Sequence, residues 1–160
     1  MDKITSSGYK AVNNEANFGK PIENEIVGGT HLAPEIITWD GEKFYAVHWF
    51  DGLPRHDKLN AIRFPHGLII WGETIFDCAK RLVEEQLRMN VKSAKVLTIE
   101  SYVDKENHWH IEPEILAKVS GNPRKPVKNS EIIIFELENT PEMAYWKSKK
   151  FKKFISNHLL

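Results

Sequence analysis

The residues best suited to metal or acid–base chemistry are concentrated in one stretch, His66–Val91. Its apolar spacing predicts a helix over Ile75–Met89, and residues three or four apart lie on the same face of a helix. One such face carries Leu82, Glu85 and Gln86. Divalent cations such as Mg²⁺ prefer carboxylate oxygens, and a neutral amide oxygen holds them more weakly. This face therefore offers one strong metal ligand, Glu85, and one weaker ligand, Gln86.

Histidine and tryptophan side chains form a second group of candidates. In the run His108-Trp109-His110, a strand would place both imidazoles on one face and Trp109 on the other. Imidazoles titrate near neutral pH, so this face could hold a base or a ligand. The alternative is a half-buried strand whose polar side chains have no chemical role. Trp71, just before the helix, could stack on a base or sugar, or could instead pack in the core or in a dimer contact.

The hydrophobic pattern predicts the elements that would position these residues. Thr74 can cap the helix N-terminus, with Asp77 completing an approximate capping box. Pro113 predicts an edge position, a bulge or a break in its strand. The order of strands, helix, strands and helix is typical of an α+β or mixed-sheet sandwich. The predicted strands are Glu35–Trp39, Lys43–Trp49, Ala61–Phe64, Val96–Tyr102, His108–Val119 and Glu131–Leu137, and the predicted last helix is Glu142–His158.

The spacing within His66–Val91 resembles the Nudix box. In that motif a glycine is followed after five residues by glutamate, and after seven more by the arginine that opens an acidic helix segment. Gly67, Glu73 and Arg81 stand at these positions. The preceding Phe64-Pro65-His66-Gly67 is similar to the family's L-P-G-G. Two fixed gaps and a capped helix in the expected place are more specific than any single residue.

A second resemblance to the Nudix family lies downstream. Glu131–Phe135 is similar to the family's late strand, and Pro141–Ala144 is similar to the start of its last helix. The resemblance implies the Nudix fold, an α+β fold in which a mixed β-sheet lies between helices as an α/β/α sandwich. It divides the chain into an N-terminal arm, residues 1–27, and a Nudix domain, residues 28–160. The polar arm is either an untidy terminus or a dimerisation arm.

The helix departs from the family motif at three positions. Leu82 and Gln86 replace glutamates, and Arg88 replaces the glycine that ends the family's helix. Asn90 is the nearest residue that tolerates a left-handed cap, so we expect the helix to run about two residues longer. GDP-mannose mannosyl hydrolases, one branch of the family, share the arginine-leucine pair and use a loop histidine as base.

The resemblance also implies roles for individual residues. Nudix enzymes use Mg²⁺ or Mn²⁺ to cleave nucleoside diphosphates linked to another moiety. By resemblance, the catalytic positions are Glu85, Arg81 and Glu73, of which the last two mainly tie the loop to the helix. The implied metal ligands are Glu85, Gln86, Glu131 and the main-chain carbonyl of His66, and the implied substrate-binding positions are Gly67, Trp71, His108 and His110.

Two functions are compatible with these residues. The first is a divalent-metal-dependent hydrolase of weak or altered activity, acting on a nucleotide sugar or a compound of the ADP-ribose type. The second is a catalytically inactive Nudix-like domain that binds a nucleotide, RNA or protein partner. Intact spacing favours the first, and Leu82 and Gln86 favour the second.

Composition narrows the classes of partner. Lysine plus arginine and aspartate plus glutamate number 22 each, which argues against a nucleic-acid coat or a polybasic membrane anchor. The lysine-rich segment Lys147–Lys153 is either a solvated helix face or an anion- or nucleic-acid-binding one. The lone Cys78 and the lack of a signal sequence or a membrane-length apolar run predict a cytoplasmic protein. Family members are often homodimers, so the resemblance allows one here.

Overall fold

The computed structural model describes residues 30–50, 60–70, 72–103, 109–126 and 128–159. The predicted N-terminal arm, Trp71 and His108 lie outside these residues. The elements are β1 (Thr30–Leu32), β2 (Glu35–Trp39), β3 (Phe44–Trp49), β4 (Ala61–Arg63), α1 (Ile75–Leu87), β5 (Asn90–Val103), β6 (Trp109–Ser120), β7 (Ser130–Phe135), a 3-10 turn (Leu137–Asn139) and α2 (Ser148–Leu159).

The seven described strands form one mixed sheet. Five of these strands pair in the order β5-β6-β2-β3-β7. Strand β1 pairs with β6 on the same side as β2, and β4 pairs with β3. Strand β6 runs parallel to β1 and β2 and antiparallel to β5, and the remaining pairs are antiparallel. Strands β2 and β3, both predicted from the sequence, form an antiparallel hairpin. Its turn is held by Asp40, whose carboxylate accepts hydrogen bonds from the N–H groups of Glu42 and Lys43, both at 2.8 Å.

A helix covers each face of this sheet. Alternate strand residues point to opposite faces, so Ile36 packs in the core beneath α1, whereas the adjacent Ile37 packs in the core beneath α2. Leu82 and Val83 of α1 lie in the first core, and Phe151 and Ile155 of α2 lie in the second. The predicted α/β/α sandwich is therefore confirmed. Among the described residues, no helix is both long and apolar enough to cross a membrane.

The expected extension of α1 is wrong. The helix ends at Leu87, and Arg88 itself adopts the left-handed conformation, with φ 57° and ψ 31°. Its N–H donates to the carbonyl of Glu84 at 3.0 Å, which satisfies one of the last helical carbonyls. Strand β5 then begins at Asn90. The helix stops because the chain must turn into this strand at once, although Arg88 lacks the conformational freedom of glycine.

Strand β5 and the last helix differ most from their predicted bounds. Strand β5 begins at Asn90 rather than at Val96, and the last helix begins at Ser148 rather than at Glu142. The backbone before it bonds to the sheet instead, because the Ala144 N–H donates to the carbonyl of Ile62 at 2.9 Å. Pro113 lies within β6, where the strand changes its parallel partner from β1 to β2. The strand continues through the proline, and β5 remains paired along its other side.

Candidate functional site

The loop before α1 is fixed to the helix by an arginine–glutamate pair. Arg81 donates to both carboxylate oxygens of Glu73, from Nε at 2.8 Å and from Nη2 at 2.9 Å. Nη2 also donates to the carbonyl of Leu68 at 3.0 Å, and Glu73 accepts the N–H of Ile70 at 2.9 Å. The Arg81 hydrogen bond is the main reason why the pKa of Glu73 lies below its usual range. This two-point pairing holds the loop in place over the helix.

Thr74 caps the start of α1, as the sequence predicts. Its hydroxyl oxygen accepts the N–H of Asp77 at 3.1 Å, and the hydroxyl donates to the Asp77 carboxylate at 2.7 Å. The cap fixes where the helix begins. It therefore also fixes which helical residues face the loop.

Glu85 lies on the solvent side of this arrangement. Its side chain is 54% exposed, and its carboxylate accepts a hydrogen bond from Arg81 Nη1 at 3.3 Å. Arg81 thus contacts two carboxylates, that of Glu73 in the loop and that of Glu85 on the exposed side of the helix. Among the positions predicted to bind metal, Glu85 is the one helical carboxylate.

Gln86 is joined to the backbone of His66 by two hydrogen bonds. Its amide Nε2 donates to the His66 carbonyl at 2.8 Å, and its Oε1 accepts the His66 N–H at 3.4 Å. The opposite orientation of the amide would set nitrogen against N–H and oxygen against carbonyl oxygen. The backbone of His66 therefore specifies an amide here. A glutamate at this position would need a proton or a cation between its carboxylate and the carbonyl.

Leu82 fills the space between this pair and the core. It is 3% exposed and belongs to the core beneath α1. A Cβ atom added to Gly67 would lie 2.9 Å from Leu82 Cδ2, so the glycine permits the loop to approach this side chain. Leu82 therefore packs in the core at the position that is glutamate in the family motif. Gly67 of the loop approaches α1 at this leucine side chain.

The two remaining candidates lie on the sheet. The Glu131 carboxylate on β7 is 3.1 Å from Nδ1 of His48 on β3, the residue directly opposite it. His110 on β6 stacks flat on Tyr102, with ring centroids 4.8 Å apart, and its Nδ1 is 3.6 Å from Glu112. His110 and Glu112 stand two residues apart on one strand and therefore share a sheet face. These contacts place His110 between the Tyr102 ring and the Glu112 carboxylate.

These residues do not fit a divalent metal ion. The His66 carbonyl accepts the Gln86 amide, Leu82 is buried and apolar, and Glu131 pairs with His48. In the part of the chain that the structure describes, no three histidine, cysteine, aspartate or glutamate side chains are grouped so that they could hold a metal. Mg²⁺ is usually held in near-octahedral geometry by one or two protein carboxylates together with water and substrate phosphates. Of the predicted ligands, Glu85 offers one such carboxylate, and that carboxylate is already paired with Arg81.

Sequence reasoning missed a pair of buried carboxyl groups. Glu35 on β2 and Glu114 on β6 are register partners in adjacent parallel strands, and both are more than nine-tenths buried. Trp146 donates to Glu35 from its indole N–H at 2.5 Å. Burial raises the pKa of both carboxyls, and the Glu35 charge raises that of Glu114 further. In the sequence, each glutamate directly precedes an apolar run of its strand, Ile36-Ile37 for Glu35 and Ile115-Leu116-Ala117 for Glu114.

The Glu35 and Glu114 pair lies next to the loop before α1, residues 66–74, which is called the box loop below. Glu35 forms an isolated β-bridge with His66, and the His66 ring packs edge-on against Tyr145 at a centroid distance of 6.0 Å. The Arg63 guanidinium lies over the Tyr145 ring, 5.4 Å from the ring centroid. The box loop and the two carboxyls are therefore parts of one continuous region.

Comparison with solved structures identifies the fold. The chain resembles the MutT NUDIX hydrolase from Burkholderia pseudomallei, with a TM-score of 0.63 and 17% identity, over 79% of this chain and 98% of that one. It also resembles the NUDIX hydrolase from Nitrosomonas europaea, with a TM-score of 0.60 and 14% identity, over 81% of this chain and 90% of that one. A MutT protein from Bacillus halodurans gives a TM-score of 0.59 and 18% identity, over 78% and 79% of the two chains.

These likenesses, together with Gly67, Glu73 and Arg81 in register, show that the chain has the Nudix fold. The resemblance predicted from the sequence is thereby confirmed at the level of the fold. No protein-family profile matches the sequence, and no curated protein matches it either.

Proposed function

We propose that the chain is a Nudix-fold domain that binds a nucleoside-diphosphate compound without metal-dependent hydrolysis. The Gln86–His66 link carries this proposal, because the amide nitrogen satisfies the carbonyl that the family resemblance assigns to a metal ion. A Mg²⁺ ion at that carbonyl would have to break a 2.8 Å hydrogen bond and accept a neutral ligand in place of a carboxylate.

The rest of the site supports binding rather than turnover. The Glu73–Arg81 pair and the Thr74 cap preserve the shape of the loop, whereas Leu82 removes a carboxylate from the helix face. The Nudix fold of the similar solved structures supports a small-molecule ligand, and its nucleotide type is part of the proposal. A reducing, cytoplasmic compartment and a homodimer stay predictions.

Calorimetry with ADP-ribose tests the proposal. We expect the same dissociation constant in EDTA and in excess Mg²⁺ or Mn²⁺, and no hydrolysis products by mass spectrometry after incubation with either metal. A dissociation constant that tightens with metal, or products that form only with metal, would contradict it.

A metal-dependent hydrolase acting on a nucleotide sugar or ADP-ribose is the second candidate. Its support is the exposed carboxylate of Glu85, which Arg81 holds at the mouth of the loop. If this candidate is right, products form with Mg²⁺ or Mn²⁺ and Glu85→Gln abolishes them. The matched control is Glu84→Gln, which removes the same charge from the neighbouring exposed position and should leave turnover unchanged.

A further inference from the structure

Strand β7 is an outer strand of the sheet, and one side of its backbone faces away from it. Within the described part of the chain β7 pairs with β3 alone, without a break in register. The N–H of Phe50 donates to the carbonyl of Asn129 at 3.2 Å, which fixes the phase of this antiparallel ladder. Hydrogen-bonded pairs alternate along such a ladder, so the backbone groups of Ile133 point to β3, whereas those of Ile132 and Ile134 point outward.

The two outer strands of the sheet differ in their protection against further pairing. Strand β5, at the opposite edge, has two breaks in its register and carries the exposed Lys92 and Lys95. Strand β7 has no such break, no proline and no lysine, and its segment Ile132–Phe135 is uncharged. Bulges and lysines are common protections of an edge, because an unprotected edge pairs readily with another strand. The β7 edge is therefore open to a further strand.

Apolar side chains and free space accompany the outward backbone groups. Ile134 is 50% exposed, and its neighbours Ile132 and Ile133 are half-buried. An open groove of about 510 Å³ lies beside this strand and is lined by Lys43, residues 133–136, Asn139 and Pro141. A strand laid along β7 would gain hydrogen bonds and would also cover the exposed isoleucine.

A second copy of β7 is complementary to this edge. In antiparallel pairing about a two-fold axis at Ile133, the outward groups of Ile132 face those of Ile134 in the second copy, and the reverse pair forms by symmetry. The same register places Glu131 opposite Phe135 of the second copy. The negative charges of the two strands therefore do not face each other, and the centre of the contact is entirely apolar.

We propose that two copies of the chain pair through β7, antiparallel about a two-fold axis at Ile133, and so join their sheets. Ile134 is then covered by Ile132 of the second copy on the α1 face, and the two Ile133 side chains meet on the α2 face. A contact of this symmetry is closed, so the assembly stops at two chains. It uses an edge of the sheet and does not depend on the proposed nucleotide-binding function.

Cysteine cross-linking of the full chain tests the register. The two Cα atoms of a non-hydrogen-bonded antiparallel pair are about 4.5 Å apart, within the range of ~4.4–6.8 Å that a disulfide spans. We expect Ile133→Cys to give a covalent dimer on mild oxidation, measured on a non-reducing gel. Ile134→Cys is the matched control. Its side chain is the more exposed, but it faces residue 132 of the second copy and should cross-link far less. Cys78 is buried and common to both variants.

Sedimentation equilibrium over a wide range of concentrations tests the hydrogen bonds. Ile134→Pro removes an N–H that points away from β3, so the ladder within the chain is kept. The dimer loses this donor from both copies, and we expect the substitution to weaken it at least roughly tenfold. Ile134→Val retains the N–H and should weaken the dimer much less. The cross-linking comparison leaves every backbone donor in place, so it does not depend on the folding of the proline variant.

Three results would overturn the proposal. A wild-type chain that stays monomeric at every concentration leaves the β7 edge to a strand of another protein. A dimer that Ile134→Pro leaves unchanged is formed by a different surface. Cross-linking that is more efficient at Ile134→Cys than at Ile133→Cys follows exposure instead of the two-fold register.

Discussion

Replacing Gln86 with glutamate isolates the contact on which the functional proposal depends. The substitution keeps the length and shape of the side chain and exchanges its NH₂ group for an oxygen. The new carboxylate oxygen would face the His66 carbonyl across the present 2.8 Å contact. Two acceptors then meet without a hydrogen between them.

The size of the effect follows from the two bonds that change. Losing the amide donor removes about 1 kcal/mol, and leaving the His66 carbonyl unsatisfied costs a further ~1–3 kcal/mol. We therefore expect Gln86→Glu to lower the free energy of unfolding by about 3 kcal/mol in EDTA at neutral pH. In a chain of this size, that corresponds to a fall in Tm of roughly 6–12 °C.

A divalent ion should reverse this loss, because it can lie between the new carboxylate and the carbonyl. Metal at ~100 times its dissociation constant returns about 2.7 kcal/mol. Urea unfolding of the wild type and the variant in EDTA and in Mn²⁺ measures both quantities. Gln86→Met is the matched control. It also loses the amide bonds but supplies no charge, so Mn²⁺ should not stabilise it.

If Gln86→Glu unfolds like the wild type in EDTA, the His66 backbone does not need the amide and the proposed role of Gln86 is wrong. The same conclusion holds if Mn²⁺ stabilises the wild type as strongly as the variant. In that case the native side chain would already permit a metal at this carbonyl.

Three further substitutions test other parts of the structure. Arg88→Gly should raise the free energy of unfolding by about 1 kcal/mol, because glycine adopts the left-handed conformation without strain; a loss of stability in urea would contradict the account of the helix end. Arg81→Lys should lower the free energy of unfolding by ~1–2 kcal/mol, because lysine cannot pair with both oxygens of Glu73; an unchanged urea midpoint would contradict this role of Arg81. Glu114→Gln should weaken the pH dependence of stability. Burial raises the pKa of Glu35 to about 7 and also raises that of Glu114, so the folded protein holds protons that the unfolded chain has released. The stability that this pair contributes is therefore greatest below the unfolded pKa of 4.5 and is lost as the pH rises, so between pH 5 and 7 the variant should lose less stability than the wild type; parallel stability curves would contradict the buried pair.

The spacing of residues in the sequence was sufficient to predict interactions between residues close together in the chain. The Thr74 cap and the Glu73–Arg81 pair join residues three and eight positions apart, so a helix in the right register brings them together. The alternating direction of side chains along a strand likewise places Ile36 and Ile37 on opposite faces. Local geometry thus made the loop, the helix and the sandwich predictable.

The donor role of Gln86 could not be predicted from residue type. An amide can accept or donate, and the choice depends on the His66 backbone, whose orientation is set by the loop. The same limit applies to the Glu35 and Glu114 pair. Their contact requires β2 to run parallel beside β6, a pairing that joins distant parts of the chain.

The end of α1 shows a different limit. Arg88 is a residue type that disfavours the left-handed conformation, so the sequence pointed to Asn90 instead. Here the start of β5 and the backbone bond to Glu84 override the local preference. Tertiary context, rather than propensity, decides where this helix stops.

A crystal of the wild-type chain soaked with Mn²⁺ and ADP-ribose tests the central claim most directly. Anomalous scattering locates manganese without reference to the protein density. We expect ADP-ribose to be bound intact, no manganese at the His66 carbonyl, and Gln86 still hydrogen-bonded to it. A manganese peak coordinated by that carbonyl and Glu85, with the Gln86 side chain displaced, would contradict the account.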